Sequence, residues 1–226
     1  MVYVTGDTHG DFSRFKKHIA KKLKKNDVLI ILGDFGFIWD DSQKEKQRLK
    51  KLEKLKYTVA FIDGSHENYT LLARYPTGEW GGGKVGIIGD NLYHLRRGEI
   101  YTIEGETFFT FGGGQSPDKD IRTEKGHKNI NWWEQEMPTE QEMIYGRKNL
   151  ENHGNAVNYI LTHEPTERHG GMISDRRNSS GMNIFLNSIE QTAKYDMWFF
   201  GSIHRDKQIS AKHRALFTDI VPVKGK

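Results

Sequence analysis

Within the first 70 residues, three apolar runs each stop at a glycine next to an acid or an imidazole. Val2 to Val4 ends at Gly6-Asp7, with His9-Gly10 in the turn behind it. Val28 to Leu32 ends at Gly33-Asp34, and Tyr57 to Ile62 ends at Asp63-Gly64-Ser65-His66. Charged segments separate the runs. Phe12, Phe15, Ile19 and Leu23 recur at helical intervals among lysines, and a second charged helix is expected from about Ser42 to Lys56. Strand, polar loop and helix repeated in this order predict parallel βαβ units, which gather the loops at the strand ends onto one edge, where ligands bind.

The second half is richer in β-structure. Lys84 to Leu95 alternates with period two, and Ile100 to Ile103 with Thr107 to Phe111 reads as a hairpin turning at Gly105. Residues 115–154 form an insert in which Trp132-Trp133 stand in a polar stretch and Met137-Pro138-Thr139 precedes a helix expected through Leu150; Thr139 with Glu142 has capping-box spacing, and Gly146 weakens that helix. Two more apolar runs reach loops: Ala156 to Leu161 enters Thr162-His163-Glu164-Pro165, and Met197 to Phe200 enters Gly201-Ser202-Ile203-His204. A helix is expected over Met182 to Thr192 and a last, edge strand over Gln208 to Val221. The chain reads as one domain spanning 1–226, of α/β class (α+β in some schemes), long enough to bury a core without cross-links.

The chain contains no cysteine, which excludes disulfides, thiolate metal ligands and a cysteine nucleophile, and leads to the expectation of a reducing, cytoplasmic setting. No apolar run approaches the length needed to span a bilayer, so no membrane association is expected. A net charge of +4 allows weak attraction to polyanions without identifying a nucleic-acid binder. Gly81-Gly82-Gly83 and Gly112-Gly113-Gly114 lack the pattern of a nucleotide-binding loop.

Asp7, His9, Asp34, His66, His163 and His204 thus sit on five loops that the βα reading brings to one edge. Carboxylate oxygen with neutral imidazole nitrogen suits Mn, Fe or Zn. The motifs Gly6-Asp7-Thr8-His9-Gly10, Gly33-Asp34-Phe35-Gly36, Gly64-Ser65-His66-Glu67-Asn68, Thr162-His163 and Gly201-Ser202-Ile203-His204 occur in the order of the calcineurin-like metallophosphoesterase superfamily, and the chain resembles its bacterial or phage-type members over residues 1 to about 206.

The resemblance implies a central β-sandwich flanked by helices and two adjacent divalent metals, Mn first, with Fe or Zn as alternatives. It assigns Asp7, His9 and His204 to the first metal, Asp34 to a bridge, and His163 to the second metal. His66 becomes a catalytic residue facing the substrate, with Glu67 beside it to orient its imidazole. Members carry Asn at the position of Ser65 and His at that of Ser202, both second-metal ligands. A serine oxygen is short, neutral and weakly donating, so the second metal is expected to bind less well, leaving one ion or two. The expected activity is hydrolysis of a phosphomonoester or phosphodiester. The alternative is an impaired phosphatase-fold protein that binds a phosphorylated ligand, a protein or a nucleic acid. Arg176 and Arg177 are candidate phosphate contacts; oligomeric state is left open.

Overall fold

The computed structural model describes residues 1–117, 119–126, 128–172 and 180–224. Strands β1 (Val2–Thr5), β2 (Val28–Leu32), β3 (Thr58–Ile62), β4 (Thr77–Trp80), β5 (Gly83–Gly89) and β6 (Leu92–Leu95) form one sheet with β13 (Val221–Pro222), in the order β13-β1-β2-β3-β6-β5-β4. A second sheet has the order β11-β12-β10-β9-β8-β7, from β7 (Ile100–Ile103), β8 (Glu106–Phe111), β9 (Tyr159–Thr162), β10 (Met197–Phe200), β11 (Lys207–Ser210) and β12 (His213–Ala215). The helices are α1 (His18–Lys22), α2 (Gln43–Glu53), α3 (Tyr69–Leu72), α4 (Lys119–Glu124), α5 (Glu140–Asn152), α6 (Glu167–Gly171) and α7 (Gly181–Thr192).

Strand β2 shows why the sheets stack. All five of its residues are buried. Val28, Ile30 and Leu32 join Phe108, Leu161 and Phe199 between the two sheets, whereas Leu29 and Ile31 join Phe61 and the α2 residues Leu49 and Leu52 in the layer behind. A third layer packs Leu150 of α5 and Phe185, Leu186 and Ile189 of α7 on the back of the second sheet. Each such side chain contributes roughly 1.5–3 kcal/mol on burial. The result is the expected sandwich flanked by helices. Among the described residues no helix is long and apolar enough to cross a membrane.

The parallel registers level the strand ends. Thr5 pairs with Ile31 and Leu32 with Ile62 in the first sheet; in the second, Thr162 pairs with both Phe111 and Phe200. The loops after β1, β2, β3, β9 and β10 therefore leave from one edge.

Two local expectations are corrected, and the helix expected through Leu150 forms. The stripe from Phe12 to Leu23 is not one helix: a 3-10 turn over Phe12–Lys16 breaks at Lys17 before α1 begins, which resets the phase. Ala20 then faces inward and Ile19 is 44% exposed. Gly146 does not interrupt α5, whose capping box forms. A Cβ there would lie 3.1 Å from the Gly98 Cα and 3.2 Å from Phe111 Cε2, so the glycine lets the helix settle against the sheet. The last strand divides into β11, β12 and β13: β11 and β12 pair antiparallel, and the Asp206 carboxylate then accepts the amides of Phe217 (2.8 Å), Thr218 (3.0 Å) and Asp219 (3.0 Å) and turns the chain from the second sheet to the first.

A buried ion pair joins the first sheet to the insert. Arg97 Nε donates to Asp63 Oδ2 at 2.7 Å, His94 Nε2 lies 3.1 Å from Oδ1, and Arg97 also donates to the Gln135 carbonyl at 2.7 Å. Burial opposes ionisation of Asp63, yet the Arg97 guanidinium and His94 hold its carboxyl well below the ordinary range. A depressed carboxyl stabilises the fold fully above the unfolded pKa of about 3.9 and loses that contribution as pH falls. Asp63→Asn should cost roughly 3–5 kcal/mol at pH 7, because it strands a buried guanidinium. In urea melts, the gap from the parent should narrow below pH about 4; a gap constant into strong acid would refute the ion-pair account.

Candidate metal centre

The loop after β1 carries Asp7, fully buried, and His9; the loop after β2 carries Asp34, and the loop after β10 carries His204. One ligand atom from each of these four residues lies within 4.8 Å of the others. His9 Nε2 and His204 Nε2 are 3.0 Å apart, and Asp7 Oδ2 lies 2.9 Å from His204 Nε2. Asp7 Oδ2 is nevertheless buried without a hydrogen-bond partner among the described residues. A buried, unsatisfied carboxylate oxygen is costly on its own, and here it points where two imidazole nitrogens and a second carboxylate converge. This donor set fits a divalent ion held by oxygen and nitrogen.

The backbone is strained where these side chains are presented. His9 (φ 45°), Asp34 (φ 44°), Ser202 (φ 62°) and His204 (φ 53°) all occupy the left-handed region, as do four other described non-glycine residues elsewhere. Each such residue costs on the order of 1–3 kcal/mol, and such strain persists only where surroundings over-determine it. Here they do. The Asp34 carbonyl accepts the amides of Thr8 (3.2 Å) and His9 (2.8 Å), and Thr8 Oγ1 donates to the Phe35 carbonyl at 2.8 Å. Arg14 donates from below to the Asp7 carbonyl (2.8 Å) and to Thr5 Oγ1 (3.0 Å). The Phe217 ring stacks on His204 at 4.6 Å, and contact with the Asp7 carboxylate raises the His204 pKa.

The residues expected to serve a second metal lie next to this group. His163 is buried; its Nδ1 lies 2.9 Å from the Leu32 carbonyl, which fixes the proton there and turns Nε2 toward Asp34 Oδ1 (3.6 Å) and Ser65 Oγ (3.5 Å). Burial opposes charge on this imidazole, but the carboxylates of Asp34, Asp7 and Glu164 prevail and raise it to about 9. Ser202 donates its amide to Asp7 Oδ1 (3.2 Å) and its hydroxyl to Glu164 Oε1 (2.9 Å). Burial, with the charges of Asp34 and Asp7, raises the Glu164 carboxyl, against the opposing effects of His163 and Ser202.

His66 lies in the cleft beside these sets, its ring 6.3 Å from that of His9 and stacked on Trp39 at 4.5 Å and 21°. Trp133 of the insert meets Trp39 edge to face at 5.6 Å. The Glu67 carboxylate receives the amides of Phe35 (2.6 Å) and Gly36 (3.4 Å), so it braces the loop that carries Asp34. The insert also reaches the cleft: Ser116 Oγ donates to the Ser65 carbonyl at 2.9 Å. Arg176 and Arg177 lie outside the described residues.

Four residues here escape the sequence reading. Trp39 and Phe217 support imidazoles from other loops, Arg14 stands in a lysine-rich segment outside the motifs, and Glu164 is the direct neighbour of His163. Only Glu164 carried a local signal, its adjacency to a ligand. A further group, His169, Glu190 and His213, also meets the distance test for a metal. The two imidazoles are stacked at 3.8 Å and 18°, so their in-plane lone pairs run side by side and do not converge on one ion.

The motif glycines let one loop pass over the next. A Cβ on Gly33 (φ 96°) would enter the His163 ring, one on Gly64 would meet the Asp34 carboxylate, and one on Gly201 the Asp7 carboxylate. Gly105 (φ 79°) has a similar backbone with nothing within 4 Å. Gly33→Ala should therefore displace His163 and cost several kcal/mol, whereas Gly105→Ala should cost only the left-handed penalty of roughly 1–2 kcal/mol. Equal losses of stability in chemical melts would show that Gly33 matters for its φ alone.

No curated protein matches the chain. A sequence model of calcineurin-like phosphoesterases does, over residues 1–206, a span that holds all the ligand residues above. The ordered motifs, the sandwich and this match agree: the chain belongs to the calcineurin-like phosphoesterase family, whose chemistry is metal-dependent hydrolysis of phosphoesters.

Proposed function

We propose that the protein hydrolyses a phosphomonoester or phosphodiester at a dinuclear-type centre weakened at its second position. The observation that carries this is the convergence of Asp7, His9, Asp34 and His204 on one point beside His163 and His66. Asp7, His9 and His204 would hold the first ion, Asp34 would be shared, and His163 would serve the second; Mn is the expected metal, with Fe or Zn as alternatives. Divalent ions supply Lewis acidity to the phosphoryl oxygens and make a water nucleophilic near neutral pH.

The chain's own groups do the rest. Trp39 fixes the plane of His66, whose imidazole can give a proton to the leaving oxygen. The Leu32 carbonyl holds one His163 proton on Nδ1, so the proton on Nε2 is the one displaced when that nitrogen takes a cation. Ser65 and Ser202 offer weak neutral oxygens where an amide and an imidazole would donate strongly, and the Ser202 hydroxyl is already engaged by Glu164. That engagement also favours a second reading, in which the site binds a phosphorylated ligand without efficient turnover. Substrates in either case are phosphorylated molecules, nucleic acid included.

Ser65→Asn with Ser202→His separates the readings. The double variant should hydrolyse p-nitrophenyl phosphate or bis(p-nitrophenyl) phosphate with Mn at least about 100-fold faster than the parent, as expected if the second ion is worth several kcal/mol in the transition state. Titration calorimetry should show its Mn stoichiometry rising from one to two. Equal turnover would defeat the weakening; no turnover in either chain, with phosphate still bound, would favour the binding role.

A further inference from the structure

The cleft has two lobes that meet at His9 and His66. The larger, about 610 Å³, includes Asp34, Ser65, Ser116, Glu164, Ser202 and His204. The smaller, about 350 Å³, is walled by Gly36, Trp39 and the first turns of α2, including Lys44 and Arg48. Lys44 and Arg48 are spaced i, i+4 and so share one face of α2. Neither makes a hydrogen bond or close ion pair with a described residue, although Arg48 acts electrostatically on the Asp40 carboxylate. The acids in the same wall are already engaged: Glu45 accepts the amides of Trp39 (2.5 Å) and Asp40 (2.8 Å), and Asp40 accepts that of Ser42 (3.0 Å). Arg48 is half-buried, close enough to Gly10 to place it beside the His9 loop. A half-buried guanidinium with no hydrogen-bonded acceptor, facing the solvent-exposed charge of Asp40 and set next to a histidine that borders both lobes, can receive an anion.

We infer that the smaller lobe receives a second phosphate, carried on the leaving group of the substrate, and that Arg48, assisted by Lys44, selects for it. The inference rests on the hydrolytic reading above. In-line displacement puts the attacking water and the leaving oxygen on opposite sides of phosphorus. His66 borders both lobes, and on this assignment the oxygen it protonates departs on the Arg48 side. The bond from phosphorus to that oxygen breaks with its electron pair on oxygen, which takes the His66 proton. The water oxygen forms the new bond to phosphorus and gives a proton to solvent, from which His66 recovers its own. The second phosphate can belong to an anhydride, as in a nucleoside polyphosphate, or to a diester whose leaving nucleotide keeps a 5′-phosphate.

The test compares the Mn-loaded parent with Arg48→Ala and Arg48→Lys on bis(p-nitrophenyl) phosphate, a nucleoside triphosphate and a 5′-phosphorylated dinucleotide. In Arg48→Ala, kcat/KM for one of the two phosphate-bearing substrates, relative to bis(p-nitrophenyl) phosphate, should fall at least about tenfold, and Arg48→Lys should restore part of it. The substrate that loses identifies anhydride or diester. Calorimetry with pyrophosphate and orthophosphate runs alongside, and Arg48→Ala should weaken pyrophosphate about tenfold more than orthophosphate. Equal losses for every probe, or none, would overturn the assignment. A parent that turns over no substrate would defeat the hydrolytic reading, and the pyrophosphate titration would still decide on the lobe.

Discussion

Asp34 is the joint on which the cleft depends. Its carbonyl receives the amides of Thr8 and His9, which anchors the loop after β1; its Oδ1 receives the His66 amide at 2.8 Å, which anchors the loop after β3. Its carboxylate lies against Gly64 and 3.6 Å from His163 Nε2, so the second sheet is fitted to the same residue. Three loops from two sheets are thus referred to a single left-handed residue. The parallel registers bring the loops level, and the hydrogen bonds at Asp34 set their positions relative to one another at the scale that coordination chemistry requires.

What could be read from the sequence divides along this line. Strand β2 announces itself because all five residues are apolar, and the Gly-Asp and Gly-Ser-His exits are visible because strand and loop adjoin in sequence. The sandwich came from the resemblance and the ordered motifs. Other features depend on distant partners. Nothing near Arg14 tells that it reaches the Phe217 carbonyl across 203 residues, or that Trp39 lies on His66. The phase of α1 and the turn that carries the chain from β12 to β13 were missed for the same reason: each is set by a break or clamp, at Lys17 and Asp206, that leaves the apolar pattern unchanged.

The two candidate ligand sets differ in how they are finished. The first ends in an unsatisfied oxygen aimed at two imidazoles, an arrangement that an ion would complete. In the second, the Ser202 hydroxyl is satisfied within the protein by Glu164, and the Ser65 backbone is held by Ser116. The serines are therefore integrated into the polar wall of the cleft, and a change at either must contend with an established neighbour. Glu164 is the residue through which that contention passes.

The turn wrapped around Asp206 bears on how the molecule is bounded. Recognition of the family ends at residue 206, yet the ring that lies against His204 belongs to Phe217, and the backbone that Arg14 grips is the same residue's carbonyl. Phe217 is in effect a buttress for an imidazole laid down earlier. The matched span is shorter than the span that shapes the site, and a unit trimmed to the former would keep Asp7, His9, Asp34, His163 and His204 while losing the wall behind His204.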